Sequence, residues 1–400
     1  METPSFNGLL VVAAIALAAP LLVALLPGLR VPAVVLEIIA GIAVGPSGFG
    51  WVDVDVPIQV VSLVGLAFLL FLAGLEIDVA RLRGPVLRAA GVGFAATLVL
   101  GLVAGLSFGA AGWVKSPLLI AIALSATSLG LVVPVLKDAG QVEAPVGQLT
   151  IAGASVADFA AVLLLSLLFS ETTGSTGSRL LLLGLFVVLA VLTVLALTRV
   201  ERSARLEAVL VQLQDTTAEI RVRFAVVLLM AFVAMAGTLG LETILGAFLA
   251  GAILGMVDRD TMTHPNFHLK LEAIGYGFVI PVFFVSSGLR FDLQALVDAP
   301  SALARVPLFL VALLVVRGLP AALYAPTVGR RQAVAAGLLQ ATSLPFLVTA
   351  TAIGVTLGEM TPVTAAALVT AGLLSVIIFP LVAVTLLRGA PVPTPTKGEP

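Results

Sequence analysis

The sequence predicts an all-α polytopic membrane protein with about 13 transmembrane helices, built from two inverted five-helix repeats whose broken helices cross. Three observations predict this fold. Of the 400 residues, 60% are hydrophobic and 11% are charged, whereas a soluble domain carries about 25% charged residues. Apolar stretches long enough to cross a bilayer follow one another along the chain, and the tetrapeptide Ala-Thr-Ser-Leu occurs twice, at 126–129 and 341–344.

The apolar stretches predict the order of the helices. The segment before the first stretch, Met1 to Asn7, has no basic residue, and the stretch is too long for an ordinary cleaved signal peptide, so we expect a retained helix. The predicted spans are 8–26, 31–46, 57–77, 85–111, 117–137, 146–169, 179–200, 222–240, 242–257, 271–289, 301–324, 330–353 and 361–387.

Basic residues predict the orientation, because cytoplasmic loops are enriched in Lys and Arg. With the N-terminus outside and the C-terminus cytoplasmic, only Lys115, Arg179, Arg290 and Arg305 of the 21 basic residues fall outside, and Arg317 lies within a span. We therefore expect a multi-pass protein of a bacterial inner membrane, in contact with lipid. The net charge of −1 argues against a nucleic-acid partner.

Both copies of the tetrapeptide lie in the middle of an apolar span and precede helix-breaking residues. The first copy continues into Gly130 and Pro134, and the second, which contains Thr342 and Ser343, continues into Pro345. Proline cannot donate a backbone hydrogen bond and so kinks or ends a helix. Backbone groups freed at bilayer depth survive only beside protein or a water-filled cavity. Each copy therefore predicts a broken helix at a site for a polar solute.

Further matches extend the duplication. The run Gly74-Leu75-Glu76 precedes the first copy as Gly288-Leu289-Arg290 precedes the second. The two copies lie on spans that run in opposite directions, so the predicted repeats, spans two to six and nine to thirteen, are inverted, as in many secondary transporters. Between them we expect a linking helix at 179–205, and the charged stretch 199–223 is either amphipathic or a plain loop. A disordered tail is expected at 389–400.

Asp158 is a carboxylate in the centre of the sixth span, among small and apolar residues. Placing it there costs about 2.5–3.5 kcal/mol, so a functional role is the default and a structural ion pair the alternative. Burial favours the neutral acid, so a proton and a monovalent metal cation would compete for one pair of oxygens. Thr127, Ser128 and Ser155 are candidate further ligands, although each hydroxyl could instead bond to its own helix.

Arg317 is the one basic residue predicted deep within a span. Arginine keeps its proton at accessible pH, so it cannot carry a transported proton. We expect it to stabilise the core by pairing with a carboxylate or capping carbonyls of a broken helix, and direct control of ion affinity is the alternative.

The other ionisable residues of the apolar spans and loops do not indicate an ion-binding site. Glu37, Glu76 and Glu242 lie nearer span ends, where we expect interfacial hydration. His264 and His268 have the spacing of a metal pair but no third ligand nearby, so we interpret them as part of a solvated loop. No cysteine is present, and we expect no cofactor.

Five short motifs together resemble one family over about residues 10–387, the cation:proton antiporter-2 family of Kef-type sodium or potassium/proton exchangers. The motifs are Gly45-Pro46 with Gly48, LFLAGLE at 70–76, Ala-Thr-Ser at 126–128, LGAFLAG at 245–251 and PVFFVSSG at 281–288.

The resemblance implies a secondary active antiporter, not an enzyme, that exchanges Na⁺ or K⁺ for H⁺ by elevator-like alternating access. It implies a homodimer in which 8–77 and 206–289 form the scaffold and 85–169 and 301–387 form the ion-translocating core. Asp158 matches the family's essential aspartate, Thr127 and Ser128 match ligands at the unwound helix, and Arg317 matches a basic residue of the core. Relatives carry Asp, Asn or Gln before that aspartate. Ala157 stands there in this chain, which predicts electroneutral one-for-one exchange.

The main alternative is a cation-coupled symporter of an organic anion, because inverted-repeat folds with crossed broken helices also serve that chemistry. It would need an intramembrane cation besides Arg317, or helix N-termini open to a carboxylate. An ion channel is less favoured, because the sequence shows no acidic ring. The predicted ligands are compatible with Na⁺, K⁺ and Li⁺.

Overall fold

A computed structural model describes residues 6–25, 32–76, 84–169, 176–201, 219–257, 266–297 and 300–387 of the chain. The regular structure in these ranges is helical, with one isolated β-bridge between Val114 and Met360. The predicted tail at 389–400, the stretch 202–218 and His264 lie outside the described residues.

The helices follow the order of the apolar stretches in the sequence. The eleventh helix, α11 (Phe267–Leu289), contains a π-helical turn at Gly275–Val279. The twelfth, α12 (Pro300–Leu313), continues through a π-helical turn at Leu314–Gly318 and a 3₁₀ turn at Leu319–Tyr324. The helices are α1 (Asn7–Leu25), α2 (Ala33–Val44), α3 (Val56–Leu75), α4 (Gly84–Ala110), α5 (Pro117–Ser125), α6 (Leu129–Asp138), α7 (Pro145–Leu168), α8 (Thr176–Glu201), α9 (Ile220–Thr238), α10 (Thr243–Val257), α11 (Phe267–Leu289), α12 (Pro300–Leu313), α13 (Arg330–Gln340), α14 (Pro345–Thr356) and α15 (Pro362–Leu387), with short helices at Leu293–Val297 and Ala325–Val328.

Length and apolar composition identify the helices that can cross a membrane. Within the described ranges, eight helices pass this test, or nine if the bent pair α13 and α14 is one span. Shorter apolar helices include α2 and α10. The chain is therefore an all-helical membrane protein, and the expected total of about 13 crossings stays a prediction.

The chain forms two compact units. The first comprises Met1–Leu26, Leu36–Asp78 and Val162–Phe291, and the second comprises Pro27–Val35, Val79–Ala161 and Asp292–Pro400.

In the first unit, α3 and α10 cross closely at glycine residues. A Cβ on Gly251 in α10 would overlap the carbonyl of Phe71 in α3, and a Cβ on Gly74 in α3 would overlap the carbonyl of Phe248 in α10. The two helices thus pack backbone against backbone.

Gly251→Ala should destabilise the first unit, because the new methyl group would meet backbone atoms that cannot rotate away. We expect the free energy of unfolding to fall by about 1–3 kcal/mol, seen as a lower Tm of the detergent-solubilised protein. Gly91→Ala in α4 is the matched control, because nothing lies within 4 Å of its added Cβ. An unchanged Tm for Gly251→Ala would contradict the close crossing.

Glu37 lies in a different environment from the hydrated span end expected for it. It is 4% exposed on α2, and its Oε2 atom is buried with no hydrogen-bond partner among the described residues. Gly41, one turn later, packs against the backbone of Val285 and Gly288 in α11. Because α2 packs this closely against α11, the Glu37 side chain is buried between protein groups. The expectation of interfacial hydration is therefore wrong for Glu37. Glu76, in contrast, is exposed just after α3.

Glu37→Met should stabilise the protein, because an orphaned buried polar atom costs about 1–3 kcal/mol and an apolar side chain of similar length removes that cost. The measurement is the Tm in detergent at neutral pH. Glu37→Gln keeps a buried polar group and should give a smaller gain. A Tm below wild type for Glu37→Met would show that the carboxyl group has a stabilising partner.

The second unit contains both helix interruptions. At one end of it, the segment before α5 and the segment after α14 are joined by the β-bridge and by the Lys115 N–H, which donates to the Glu359 carbonyl at 2.9 Å. The Arg305 guanidinium lies 5.1 Å from the Trp113 ring centre and donates to Thr364 Oγ1 at 3.0 Å. These contacts tie α12 to the segment before α5 and to the first turn of α15.

Candidate functional site

The first Ala-Thr-Ser-Leu copy interrupts a helix. α5 ends at Ser125, residues 126–128 are non-helical, and α6 begins at Leu129. Ala126 is extended, with φ −79° and ψ 156°. Gly130 and Pro134 lie within α6, so the break itself is made by Ala-Thr-Ser and not by these two residues.

The second copy interrupts another helix in the same unit. α13 ends at Gln340, residues 341–344 are non-helical, and α14 begins with Pro345. The two helices are bent by 43° at this point. Pro345 occupies the first turn of α14, where its missing N–H leaves no intrahelical bond unmade.

The two breaks are bonded directly to each other. The Ser128 N–H donates to the Thr342 carbonyl at 2.8 Å, and the Leu344 N–H donates to Ser128 Oγ at 3.0 Å. Backbone groups that each helix loses at its break are thus satisfied by the other break, as a low-dielectric environment requires.

Asp158 lies beside the first break. The Thr127 N–H, one residue before the N-cap of α6, donates to Asp158 Oδ1 at 2.9 Å. Ser128, at the N-cap of α6, does not cap the helix with its side chain. The carboxylate therefore lies next to the positive end of the α6 dipole, where a negative charge is stabilised. Asp158 is partly exposed, so this negative site keeps an accessible surface.

Thr127 connects the carboxylate to a buried arginine. Thr127 Oγ1 donates to the Gln340 carbonyl at 2.7 Å and accepts from Arg317 Nε at 2.8 Å. Arg317 Nη2 donates to the Gly153 carbonyl at 2.8 Å, and Arg317 is 1% exposed.

Within the described residues, Arg317 makes no hydrogen bond to a carboxylate or to a carbonyl of a break, so the expected direct contact is not formed, although its charge and that of Asp158 attract each other through space. The reason is that the Thr127 hydroxyl already caps the carbonyl at the end of α13. Arg317 holds that hydroxyl instead. It lies in the π-helical turn that follows α12, a local widening that is frequent at functional sites.

The predicted hydroxyl ligands differ in their contacts. Thr127 and Ser128 bond across to the other broken helix and not to their own helices. Each oxygen keeps one lone pair, because a hydroxyl oxygen has two and one is used in accepting a bond. Ser155 is 3% exposed on α7, one turn before Asp158.

The second break has no counterpart of the carboxylate. Thr342 Oγ1 donates back to Leu338 of its own helix at 3.1 Å. The Ser343 N–H donates to Ser375 Oγ at 3.2 Å, while Ser343 Oγ is buried without a partner among the described residues. The polar environment of the two breaks is therefore asymmetric.

Sequence reasoning did not identify Gln340 or Tyr324, which lie beside Arg317 and Thr127, and it counted Gly153 only among the small residues around Asp158 that allow close helix packing. Gln340 Nε2 donates to Tyr324 Oη at 3.1 Å, and both atoms lie where a side chain on Gly153 would project. The position of Gln340 could have drawn attention to it, because a polar residue immediately precedes the second tetrapeptide. Tyr324 has no comparable signal in the sequence.

The donor atoms at the site are the Asp158 carboxylate and neutral hydroxyl and carbonyl oxygens. In the part of the chain that the structure describes, no three His, Cys, Asp or Glu side chains cluster as a metal site. One carboxylate with neutral oxygens around it is a donor set that suits a hard monovalent cation better than a tightly held structural metal.

Comparisons with known proteins agree with this architecture. The chain is similar to a solved structure of the sodium proton antiporter MjNhaP1 from Methanocaldococcus jannaschii, with a TM-score of 0.63 and 16% sequence identity. The match covers 95% of this chain and 99% of the MjNhaP1 chain. At that identity the likeness shows the fold alone.

Two curated relatives are similar in sequence. The putative Na⁺/H⁺ antiporter YjbQ of Bacillus subtilis is 33% identical over 88% of this chain, and this chain spans 58% of its length. The Na⁺/H⁺ antiporter of Enterococcus hirae is 32% identical over 66% of this chain and is itself covered over 67% of its length. The family model described as sodium/hydrogen exchanger, transmembrane, matches residues 13–389. Because this match includes both helix breaks and Asp158, the chain belongs to the sodium/hydrogen exchanger family.

Proposed function

We propose that the chain is a secondary active antiporter that exchanges a monovalent cation, Na⁺ or K⁺, for H⁺. One observation carries the proposal: a partly exposed carboxylate, Asp158, lies at the positive end of α6 where the two broken helices meet. The sequence similarity to relatives named as Na⁺/H⁺ antiporters supports it.

The exchange follows from competition at Asp158. A proton and a cation cannot both occupy the same carboxylate oxygens, so binding of the cation releases the proton. As the pH falls, protons compete better, and the apparent KM for the cation should rise. Ala157 precedes Asp158, so one titrating carboxylate would move one proton per cation, and the exchange would be electroneutral.

Further ligands are proposed from the oxygens that remain available. Thr127 Oγ1 and Ser128 Oγ each keep a lone pair near Asp158, and Ser155 lies one turn away on α7. Arg317 stabilises this arrangement by holding Thr127, and because it does not neutralise the carboxylate directly, Asp158 stays free to bind a cation.

The architecture of transport is also a proposal. A scaffold at 8–77 and 206–289 and a moving core at 85–169 and 301–387 are supported by the two compact units. The crossed broken helices of the inverted repeat are supported by the bonded breaks in one of these units. Elevator-like alternating access and the homodimer rest on the resemblance of the five motifs to the antiporter family. The five motifs support the finer assignment to the antiporter-2 family. We place the protein in a bacterial plasma membrane with its N-terminus outside.

Dye-monitored proton movement in proteoliposomes tests the function. With an acidic interior, addition of NaCl or KCl outside should dissipate the pH gradient, and choline chloride or protein-free liposomes should not. If no alkali cation dissipates the gradient and an organic acid together with a cation does, the symporter of an organic anion replaces the antiporter.

A further inference from the structure

Gln340 contacts the residues around Asp158 through both its main-chain carbonyl and its side-chain amide. It is the last residue of α13 and is 1% exposed. Its main-chain carbonyl is one of the groups a helix leaves unpaired at its C-terminus, and it accepts the Thr127 hydroxyl at 2.7 Å. Since the Thr127 N–H binds Asp158 Oδ1, the backbone of Gln340 fixes the residue that holds the carboxylate.

The side chain of Gln340 reaches the helix that carries Asp158. Nε2 donates to Tyr324 Oη at 3.1 Å, and Tyr324 is 2% exposed. A Cβ on Gly153 would overlap Nε2 and would come within 2.7 Å of Tyr324 Oη. The amide and the phenol thus rest on the bare backbone of α7 at Gly153, five residues before Asp158.

Gly153 is also hydrogen-bonded to Arg317. Its carbonyl accepts from Arg317 Nη2 at 2.8 Å, while Arg317 Nε binds Thr127. The Gln340–Tyr324 pair therefore packs against α7 at Gly153, the residue whose carbonyl accepts a hydrogen bond from Arg317. Loss of this packing would move the Thr127 hydroxyl relative to the Asp158 carboxylate.

We infer that Gln340 is a positioning residue for the cation site, and that its hydrogen bond to Tyr324 sets the geometry between Asp158 and Thr127. This inference rests on the proposed cation exchange and deepens it. No role for Gln340 as a ligand is implied, because its contacts are with Thr127 and Tyr324.

The test uses Gln340→Met and Tyr324→Phe, which remove opposite ends of one hydrogen bond at nearly constant volume. Each should raise the apparent KM for Na⁺ in proteoliposomes by about three- to tenfold, the range expected for one buried hydrogen bond. Each should also move the pH at which transport is half-maximal. The double variant should be no worse than the single ones, because both lose the same bond.

Thr351→Val is the matched control. Thr351 is buried in α14, and among the described residues its hydroxyl bonds only within its own helix, to Leu347 at 2.8 Å and Val348 at 3.0 Å. It should leave the KM and the pH profile unchanged.

A lower transport rate in proportion to a lower protein yield, with the KM and pH profile of wild type, would make Gln340 merely structural and overturn the inference. Additive effects of the two substitutions would overturn it as well. Failure of the exchanger assignment looks different: wild-type protein would then show no cation-driven proton movement at all.

Discussion

Asp158→Asn should abolish cation-driven proton movement, lowering the rate at subsaturating Na⁺ or K⁺ by at least about 100-fold. The asparagine amide does not bind and release a proton at accessible pH, so proton transport is lost. The amide also lacks the negative charge that attracts the cation, and loss of such a charge-assisted contact alone is worth about 1.5–3 kcal/mol. Asparagine keeps an acceptor oxygen for the Thr127 N–H, so the start of α6 should stay capped and the protein should stay folded. Dye-monitored transport in proteoliposomes measures the effect.

Glu37→Gln provides the matched control for this substitution. It also converts a carboxyl group within an apolar helix to an amide, but in the other compact unit. It should retain exchange. Equal dissipation of the gradient by wild type and Asp158→Asn, at equal amounts of folded protein, would remove Asp158 from the mechanism.

Arg317→Lys should weaken the apparent cation affinity by about 10- to 100-fold and lower the Tm, although the formal charge is kept. The guanidinium binds Thr127 through Nε and Gly153 through Nη2, two directions that a single ammonium on a flexible stem cannot serve together. At least one of the two bonds to the charged group is lost, and a hydrogen bond to a charged group is worth about 1.5–3 kcal/mol. Transport against cation concentration, together with thermal unfolding, measures both effects.

Arg305→Lys is the matched control on the same helix, since Arg305 also contacts a threonine hydroxyl but at one end of the unit. Its effect on cation affinity should be less than about threefold. If both lysine variants shift the affinity equally, the effect of Arg317 comes from general destabilisation and not from its hold on Thr127.

The features of the site that could be predicted from the sequence are those with local chemical signals. A carboxylate within an apolar run, as at Asp158, carries a cost that must be offset wherever the helix packs. Hydroxyl and helix-breaking residues in mid-span indicated interruptions, and the helices do stop at Ser125 and Gln340. The position of the first break could not be predicted from Gly130 and Pro134, because α6 accommodates both residues.

Features decided by tertiary packing could not be predicted. The depth of Glu37 depends on the crossing of α2 with α11 at Gly41 and Gly288, which no periodicity in α2 reveals. The partners of Arg317 depend on a π-helical turn and on Thr127 being already engaged with Gln340. A single sequence contains the residues but not the register that brings three helices together.

Proton release on cation binding tests the central claim most directly. Purified protein in weakly buffered detergent solution, at a pH where Asp158 is protonated, should release about one proton per bound Na⁺ or K⁺. Choline should release none, and Asp158→Asn should release none with any cation. Cation binding without proton release, or the same release from Asp158→Asn, would contradict the account.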